Sequence, residues 1–347
     1  MSGLRIVHTI LSKGFAGSER ATAEMCNAHC REHEVLLILK RGHTSRNGVS
    51  IRQWLDPAVQ VVEVGNWLPR AGMARALEQF RPDVIHAHLR RSTRLLARIR
   101  PPAPTIATLH LTANGPHFAD MDGLICIAQW QHEDIPRGYR GRVFDINESL
   151  IPNRRLSASE IATLRRELGA APGDYLVGGV GRLARSKGFD VLVEAFKRAH
   201  LPAARLVIIG EGRERTRLER ALVPGISLPG FRSDAKDCYQ AFDVFVSPSR
   251  SEPLGRVVLE ALDAGVPVIA SATRGPAEIL SRYPGELFPI GDVDALAALL
   301  RRSHELRPPR LHHDLSAYHL PNIARETAAA YRELIDAKRL RLRAAAN

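Results

Sequence analysis

Two glutamates eight positions apart, Glu252 and Glu260, lie in the run Ser247, Pro248, Ser249, Arg250, Ser251, Glu252, Pro253, Leu254, Gly255, Arg256, Val257, Val258, Leu259, Glu260, Ala261. Pro253 suits the first turn of a helix, which sets Glu252 just before that helix and Glu260 two turns inside it. The free N–H groups of Leu254, Gly255 and Arg256 would then point outward as a site for an anion or a hydroxyl, with Glu252 able to accept hydrogen bonds from sugar hydroxyls. A surface helix offers the same residues a plainer use: Glu252 favours the positive helix end, and Glu260 pairs with Arg256 one turn earlier.

Other positions invite chemistry more weakly. Gly179, Gly181 and Ala184 spell G-x-G-x-x-A, the dinucleotide fingerprint of an NAD(P)-dependent oxidoreductase. That reading needs an acidic residue for the ribose at the end of the next strand, where 206–209 is followed by Gly210. Gly17 precedes a helix, where its backbone suits a close phosphate contact or an ordinary turn. His110 follows an apolar run at the edge where doubly wound sheets bind ligands, and His86 and His88 end another run. Cys26, His29, Cys30 and His33 share one helical face; the spacing suits a metal, and helix packing explains the cysteines more simply. Arg90, Arg91, Arg94 and Arg98 alternate with Leu95, Leu96 and Ile99, a pattern for an anionic membrane surface or for a solvated helix.

The elements that must position these residues are short β-rich runs alternating with amphipathic stretches: 4–10, then 18–31, 35–39, 84–87, 105–109 and 124–127. Such alternation makes a parallel, doubly wound α/β sheet. A seam near 151–155 is followed by Ser157 and Glu160, a capping box opening a helix that Gly169 ends. Beyond it the pattern restarts, with strands at 175–180, 206–209, 244–246 and 267–270 and helices at 189–200 and 256–264. The expected division is 1–155, 156–320, and a terminal helix in 321–347 that packs back on the first domain.

A length of 347 residues at 45% hydrophobic suits two such domains. The net charge of +12 calls for an anionic partner. Nucleic acid is disfavoured by the lack of aromatic interleaving or a binding module. Four cysteines without a paired motif fit a reducing, cytoplasmic setting. The start of the chain is too short and polar for a signal peptide, and no run approaches ~18 apolar residues, so any membrane contact would be peripheral.

The E-x7-E pattern, followed by Gly265, Val266, Pro267, Val268, Ile269 and Ala270, resembles the family-4 class of retaining glycosyltransferases of the GT-B fold. Gly181, Arg182, Leu183, Lys187 and Gly188 are similar to that family's G-R-L-x-x-x-K-G, and Gly210, Glu211, Gly212 and Pro229, Gly230, Phe231 match its later punctuation. The first half is looser, since Ala16 stands where the family commonly has a glycine beside Gly17. The resemblance implies two Rossmann-like domains facing across a cleft and transfer of a hexose from a UDP- or GDP-sugar to a glycan or lipid-linked acceptor, as in lipopolysaccharide or exopolysaccharide synthesis. It implies that Arg182 and Lys187 stabilise the departing diphosphate, whose charge develops in the transition state. Glu252 would orient the donor sugar, Leu254 and Gly255 offer N–H groups, Glu260 bind the ribose, Gly17 approach a phosphate, and His110 support the sugar, with His88 nearer the acceptor. No acidic D-x-D segment is placed to bridge a divalent cation, so no metal or other cofactor is expected. A non-catalytic scaffold that binds the nucleotide sugar is the remaining reading.

Overall fold

The structure is a computed structural model that describes residues 3–44, 48–113 and 115–346. In chain order the first half runs β1 (Arg5–Ile10), α1 (Gly17–His29), β2 (Glu34–Lys40), β3 (Gln60–Val64), α2 (Pro69–Phe80), β4 (Val84–His88), α3 (Leu89–Ile99), β5 (Thr105–Thr108), β6 (Gly123–Cys126) and β7 (Arg142–Asp145). The remainder runs α4 (Ala158–Glu167), β8 (Tyr175–Val180), α5 (Phe189–Ala199), β9 (Ala204–Ile209), α6 (Arg215–Glu219), β10 (Ile226–Gly230), α7 (Ala235–Cys238), β11 (Val244–Ser247), α8 (Arg256–Asp263), β12 (Val268–Ser271), α9 (Arg274–Leu280), β13 (Glu286–Phe288), α10 (Val293–Leu306) and α11 (Leu320–Ala346).

The chain forms two compact units, 1–149 with 316–347, and 150–315. Both boundaries fall a few residues before the positions expected from sequence. The backbone N–H of Asn153 already donates to Asp263, and its side-chain amide to the Glu260 carbonyl at 2.9 Å, so 150–155 belongs to the second unit. On the return, Asn147 reaches the Ala317 carbonyl at 3.5 Å and Tyr318 is buried in the first unit.

In the first unit the described strands are parallel in the order β3-β2-β1-β4-β5-β6-β7. One face packs Val7, Ile38 and Ile85 against Met73, Leu77 and Phe80 of α2 and Leu95 and Leu96 of α3. Each such side chain removed from water contributes roughly 1.5–3 kcal/mol. The apolar side of α3 is therefore used within its own unit, while Arg90, Arg94 and Arg98 are exposed. The other face packs Ile10, Leu37 and Leu39 against Ala23 and Cys26 of α1. There α11 completes the layer with Ile323, Tyr331 and Leu334, all buried. A Cβ on Gly123 would lie 2.8 Å from Leu334, so the glycine in β6 makes room for α11.

The second unit's parallel order is β10-β9-β8-β11-β12-β13. Its core gathers Val177, Leu192, Leu206, Val246 and Leu296 between the sheet, α5 and α10. The capping box of α4 forms: the Glu160 carboxylate accepts the Ser157 N–H at 2.8 Å, which is the main reason its carboxyl is pulled down to about 2. Arg165 then pins α4 to the sheet through the Ala241 carbonyl and Asp243.

The strand order reverses between β1 and β4 in the first unit and between β8 and β11 in the second. Loops at the carboxyl ends of such strands diverge and leave a crevice, the usual ligand position in this architecture. In the second unit the backbone there is packed to contact. Gly210 has φ +147°, and a Cβ on it would meet the Gly181 carbonyl oxygen at 1.9 Å. Gly210→Ala is expected to cost about 3 kcal/mol or more, through backbone strain and collision together. A thermal unfolding midpoint equal to wild type would refute this account of the turn.

Candidate functional site

The loop after β8 is held on the turn after β9. Leu183 N–H donates to the Glu211 carbonyl at 2.8 Å, and Gly212 lies so near Leu183 that a Cβ would sit 2.1 Å from its carbonyl oxygen. On its other side the same loop is fastened to the loop after β11. Arg250 N–H donates to the Ser186 carbonyl at 2.7 Å, and the Arg250 guanidinium grips Asp190 at the start of α5 through two bonds of 2.6 and 2.9 Å. Gly188, at φ +66°, admits the Pro248 carbonyl where a Cβ would be 2.0 Å away. The two segments that carry Arg182, Lys187 and Glu252 thus share one edge by backbone contact.

Their side chains differ in state. The Lys187 ammonium and the Glu252 carboxylate are in direct contact, both mostly buried, and Ser249 Oγ lies 3.4 Å from the same carboxylate oxygen. The Arg182 side chain is exposed, and its guanidinium has no hydrogen bond or ion pair among the described residues. Glu260 is buried, only 6% exposed, and accepts the Tyr239 hydroxyl at 3.0 Å. The Lys187–Glu252 contact is not legible from spacing, because 65 residues separate the partners.

Helix α8 starts at Arg256, as the expected 256–264 helix had it, so Pro253 lies before its first turn and not within it. Gly255 takes φ +96° before it, and Leu254 is buried with its carbonyl against Gly275 at the start of α9. Pro253 and Leu254 therefore form a turn that leads into the helix, with Gly255 as its cap. The dinucleotide reading fails on similar grounds. After Gly181 the chain makes a turn of 3-10 helix at Arg185–Lys187, and α5 starts only at Phe189, too late to bring its N-terminus to a pyrophosphate at Gly179 and Gly181.

In the first unit His110 lies just beyond β5 and is part of an array. Its Nε2 is 2.9 Å from His88 Nδ1, and its Nδ1 is 3.2 Å from Glu148 Oε1. His88 Nε2 is 2.9 Å from His8 Nδ1, His8 Nε2 is 3.3 Å from His29 Nδ1, and His29 Nε2 is 3.2 Å from the Ala324 carbonyl of α11. Alongside, His86 bridges the Tyr331 hydroxyl (2.6 Å) and Thr108 (2.7 Å). Burial, the largest cause, holds His8, His86 and His88 well below the ordinary histidine range and brings His29 to about 4. These four are neutral imidazoles at neutral pH. Sequence reasoning had reached His86, His88 and His110 and missed His8, Glu148 and Tyr331. A histidine in the inner strand Ile6-Val7-His8-Thr9-Ile10 was the available signal, since a buried imidazole demands partners.

His8, His86 and His88 have nitrogens close enough to share an ion, as do Cys126, His132 and Asp145. In the first group each of the six ring nitrogens has a hydrogen-bond partner, either a neighbouring imidazole or a hydroxyl; binding an ion there means breaking the array. The face read from sequence is used differently: His29 turns to His8, and burial pushes the Cys26 thiol far up, away from thiolate. Gly17 opens α1 with ordinary backbone angles and open space where a Cβ would be. Glu19 already places a carboxylate at that helix end, accepting the Ala16 N–H at 2.9 Å.

A family model described as Glycosyl transferases group 1 matches residues 160–319, and one described as Glycosyltransferase Family 4 matches 15–143. The lipopolysaccharide core biosynthesis glycosyltransferase LpsD of Rhizobium meliloti is 29% identical over 317 residues, covering 87% of this chain and 88% of that protein. A GDP-mannose-dependent alpha-mannosyltransferase of Mycobacterium tuberculosis is 31% identical over 312 residues, covering 76% and 77%. Among solved structures, Anabaena HepE in complex with UDP and glucose superposes with a TM-score of 0.73 at 19% identity, covering 99% of each chain. A Rickettsia africae glycosyltransferase gives 0.79 at 17% identity, covering 96% of this chain and 99% of that one. With family models on both halves and a relative above 30% identity aligned over most of its length, the chain belongs to glycosyltransferase family 4, and its two parallel-sheet units are those of the GT-B fold.

Proposed function

We propose that this glycosyltransferase is a retaining, metal-independent hexosyltransferase that uses a UDP- or GDP-sugar and acts on a glycan or lipid-linked acceptor in lipopolysaccharide or exopolysaccharide synthesis. The observation that carries the donor side is the Lys187–Glu252 contact at the β8/β11 reversal, with Arg182 exposed beside it in sequence and Glu260 buried against Tyr239. A diphosphate arriving there takes the Lys187 ammonium as its counter-ion and so releases the Glu252 carboxylate to accept sugar hydroxyls. Glu260 is held for the ribose hydroxyls, Leu254 and Gly255 shape the turn beside the phosphates, and Gly17 and His110 serve from the first unit. The leaving β-phosphate oxygen takes the proton of the acceptor hydroxyl as the new glycosidic bond forms on the face that the diphosphate leaves. The relatives' names, a lipopolysaccharide core enzyme and a GDP-mannose enzyme, support the acceptor and donor classes.

Any membrane contact rests on Arg90, Arg94 and Arg98 and is electrostatic and salt-sensitive, because Leu95 and Leu96 are buried. Among the described residues no helix is long and apolar enough to cross a membrane.

A thermal-shift screen of UDP- and GDP-sugars tests the donor, since a ligand bound only by the folded state raises the unfolding midpoint. One nucleotide class is expected to stabilise the protein, and Glu260→Gln to weaken that ligand about tenfold, near 1.4 kcal/mol. Equal affinity in the variant removes Glu260 from the site. Unchanged turnover in EDTA and an axial or equatorial product bond matching the donor's are expected from assay and product NMR.

A further inference from the structure

The carboxyl edge of the first sheet gathers cations for which the chain supplies no anion. Lys40 is the last residue of β2, Lys13 lies three residues beyond β1, and Arg91 is the third residue of α3, which follows β4 directly. Strands β2, β1 and β4 are neighbours, so the three side chains start from one edge, at the β1/β4 reversal. The first turn of α3 is fastened there, since Leu11 N–H donates to Ser92 Oγ at 3.2 Å. Lys40 is only 9% exposed, and the charged groups that face it are Lys13 and Arg91. Among the described residues no carboxylate partners any of the three side chains. A lysine on open surface needs no counter-ion, because water solvates it; a covered ammonium between like charges is unfavourable. Burial first, and then the two neighbouring cations, lower the Lys40 ammonium from its ordinary value.

Two further polar groups at the same edge are left over. Ser12 Oγ is buried without a hydrogen-bond partner, and His43, three residues beyond Lys40 and only 4% exposed, completes no hydrogen bond from either ring nitrogen. Folded chains keep few such orphans. The His43 ring faces the Gly14 backbone and the carboxylates of Glu19 and Glu63. Those acids are engaged elsewhere: Glu19 accepts the Ala16 N–H at 2.9 Å, and Glu63 holds Arg52 at 3.1 Å. Gly14 has φ +105° and nothing within 4 Å of where a Cβ would stand, so the loop after β1 leaves room beside these groups.

We propose that Lys13, Lys40 and Arg91, with Ser12 and His43, form an anion subsite in the first unit that takes a phosphate monoester carried by the acceptor. That the anion belongs to an acceptor rests on the glycosyl transfer proposed above. A phosphate monoester brings a charge of about −2 and three terminal oxygens, enough to meet three cations and still accept from a hydroxyl and an imidazole. A carboxylate brings one charge and two oxygens and leaves part of the set unpaired. The donor's own diphosphate has its cations, Arg182 and Lys187, in the second unit, which frees this cluster for a different anion. A phosphate held here fixes which acceptor binds and which of its hydroxyls is presented. Its contribution is the same before and during transfer, so it acts on KM and not on kcat.

Calorimetric titration of the full chain, saturated with the nucleoside diphosphate that the thermal-shift screen selects, reads the subsite with inorganic phosphate, a hexose phosphate, the same hexose unphosphorylated, and a hexuronate. The two phosphates are expected to bind, the hexose not to, and the hexuronate to bind more weakly than either phosphate. Lys40→Met is expected to weaken both phosphates at least tenfold and to keep the wild-type affinity for the nucleoside diphosphate. It should also raise the unfolding midpoint of the ligand-free chain, because an apolar side chain of similar length fills the same space without the crowded charge. Wild-type phosphate affinity in Lys40→Met overturns the proposal, as does a phosphate site that saturation with the nucleotide abolishes, or a hexuronate that binds as tightly as the hexose phosphate. If Lys40→Met does not fold, the exposed Lys13 decides: Lys13→Gln is expected to weaken phosphate severalfold, and unchanged affinity overturns the subsite. In a transfer assay, removing the acceptor's phosphate is expected to raise KM about a hundredfold with kcat nearly constant. Equal KM for the two acceptors overturns the subsite and leaves the transfer reading intact; phosphate binding that Lys40→Met abolishes, without transfer from any donor, defeats the transfer reading and leaves the anion site.

Discussion

Arg182→Ala and Lys187→Ala are each expected to lower turnover by about a hundredfold or more, the loss of roughly 3 kcal/mol of stabilisation of the leaving diphosphate in the transition state. The two variants are not equivalent. Arg182 is exposed and unpaired among the described residues, so its removal leaves the unfolding midpoint almost unchanged and the kinetic loss reads charge alone. Lys187 is in contact with Glu252, and its removal leaves a largely buried carboxylate without its counter-ion. Lys187→Ala should therefore lose stability as well, and Glu252→Gln in the same chain should return part of it, because the orphaned charge is then gone. Wild-type turnover in both single variants would place the diphosphate elsewhere.

A large effect of acid on stability is expected in the first unit. The unfolded chain takes up protons on His8, His29, His86 and His88 as pH falls through about 6.5. In the folded unit burial keeps His29 neutral down to about 4 and the other three neutral well below their ordinary value. The stabilisation is fully present above pH 6.5 and falls as pH drops from there toward 4, by about 1.4 kcal/mol per pH unit for His29, with His8, His86 and His88 adding to the loss in the same direction. Calorimetry from pH 8 to 4.5 should show one transition moving down in temperature, and His29→Gln should lessen its slope. Transitions that keep their temperature across this range would mean that the four imidazoles are already charged or are reached by water.

The contrast between what was legible and what was not follows strand position. The inner strands β1, β2, β4, β5 and β6, and β8, β9, β11 and β12, are covered on both faces and read as continuous apolar runs. The edge strands β3, β7, β10 and β13 are partly exposed and carry broken patterns, such as Gln60-Val61-Val62-Glu63-Val64, that a search for apolar runs passes over. The site divides in a similar way. Arg182, Lys187, Glu252 and Glu260 lie in short motifs whose glycines and prolines are visible one residue at a time. The start of α8 at Arg256 matches the expected 256–264 helix, while Pro253, which suits a first helical turn and a preceding turn equally well, takes the turn. The histidine array draws on residues 8, 29, 88, 110, 148 and 324, and only the folding of both chain ends into one unit brings them together.

That shared unit also sets an order of assembly on the ribosome. The second unit is continuous and can close as soon as its last strand and helix emerge, whereas the first waits for α11, which is synthesised after it. Until then α1 has no helix beside it, His29 no carbonyl and His86 no tyrosine. The nascent chain would hold a finished second unit and an unfinished first one, with its buried imidazoles still wet. A translational pause before residue 320 would lengthen the exposure of that layer to chaperones, and release of the last helix would be the event that dries it.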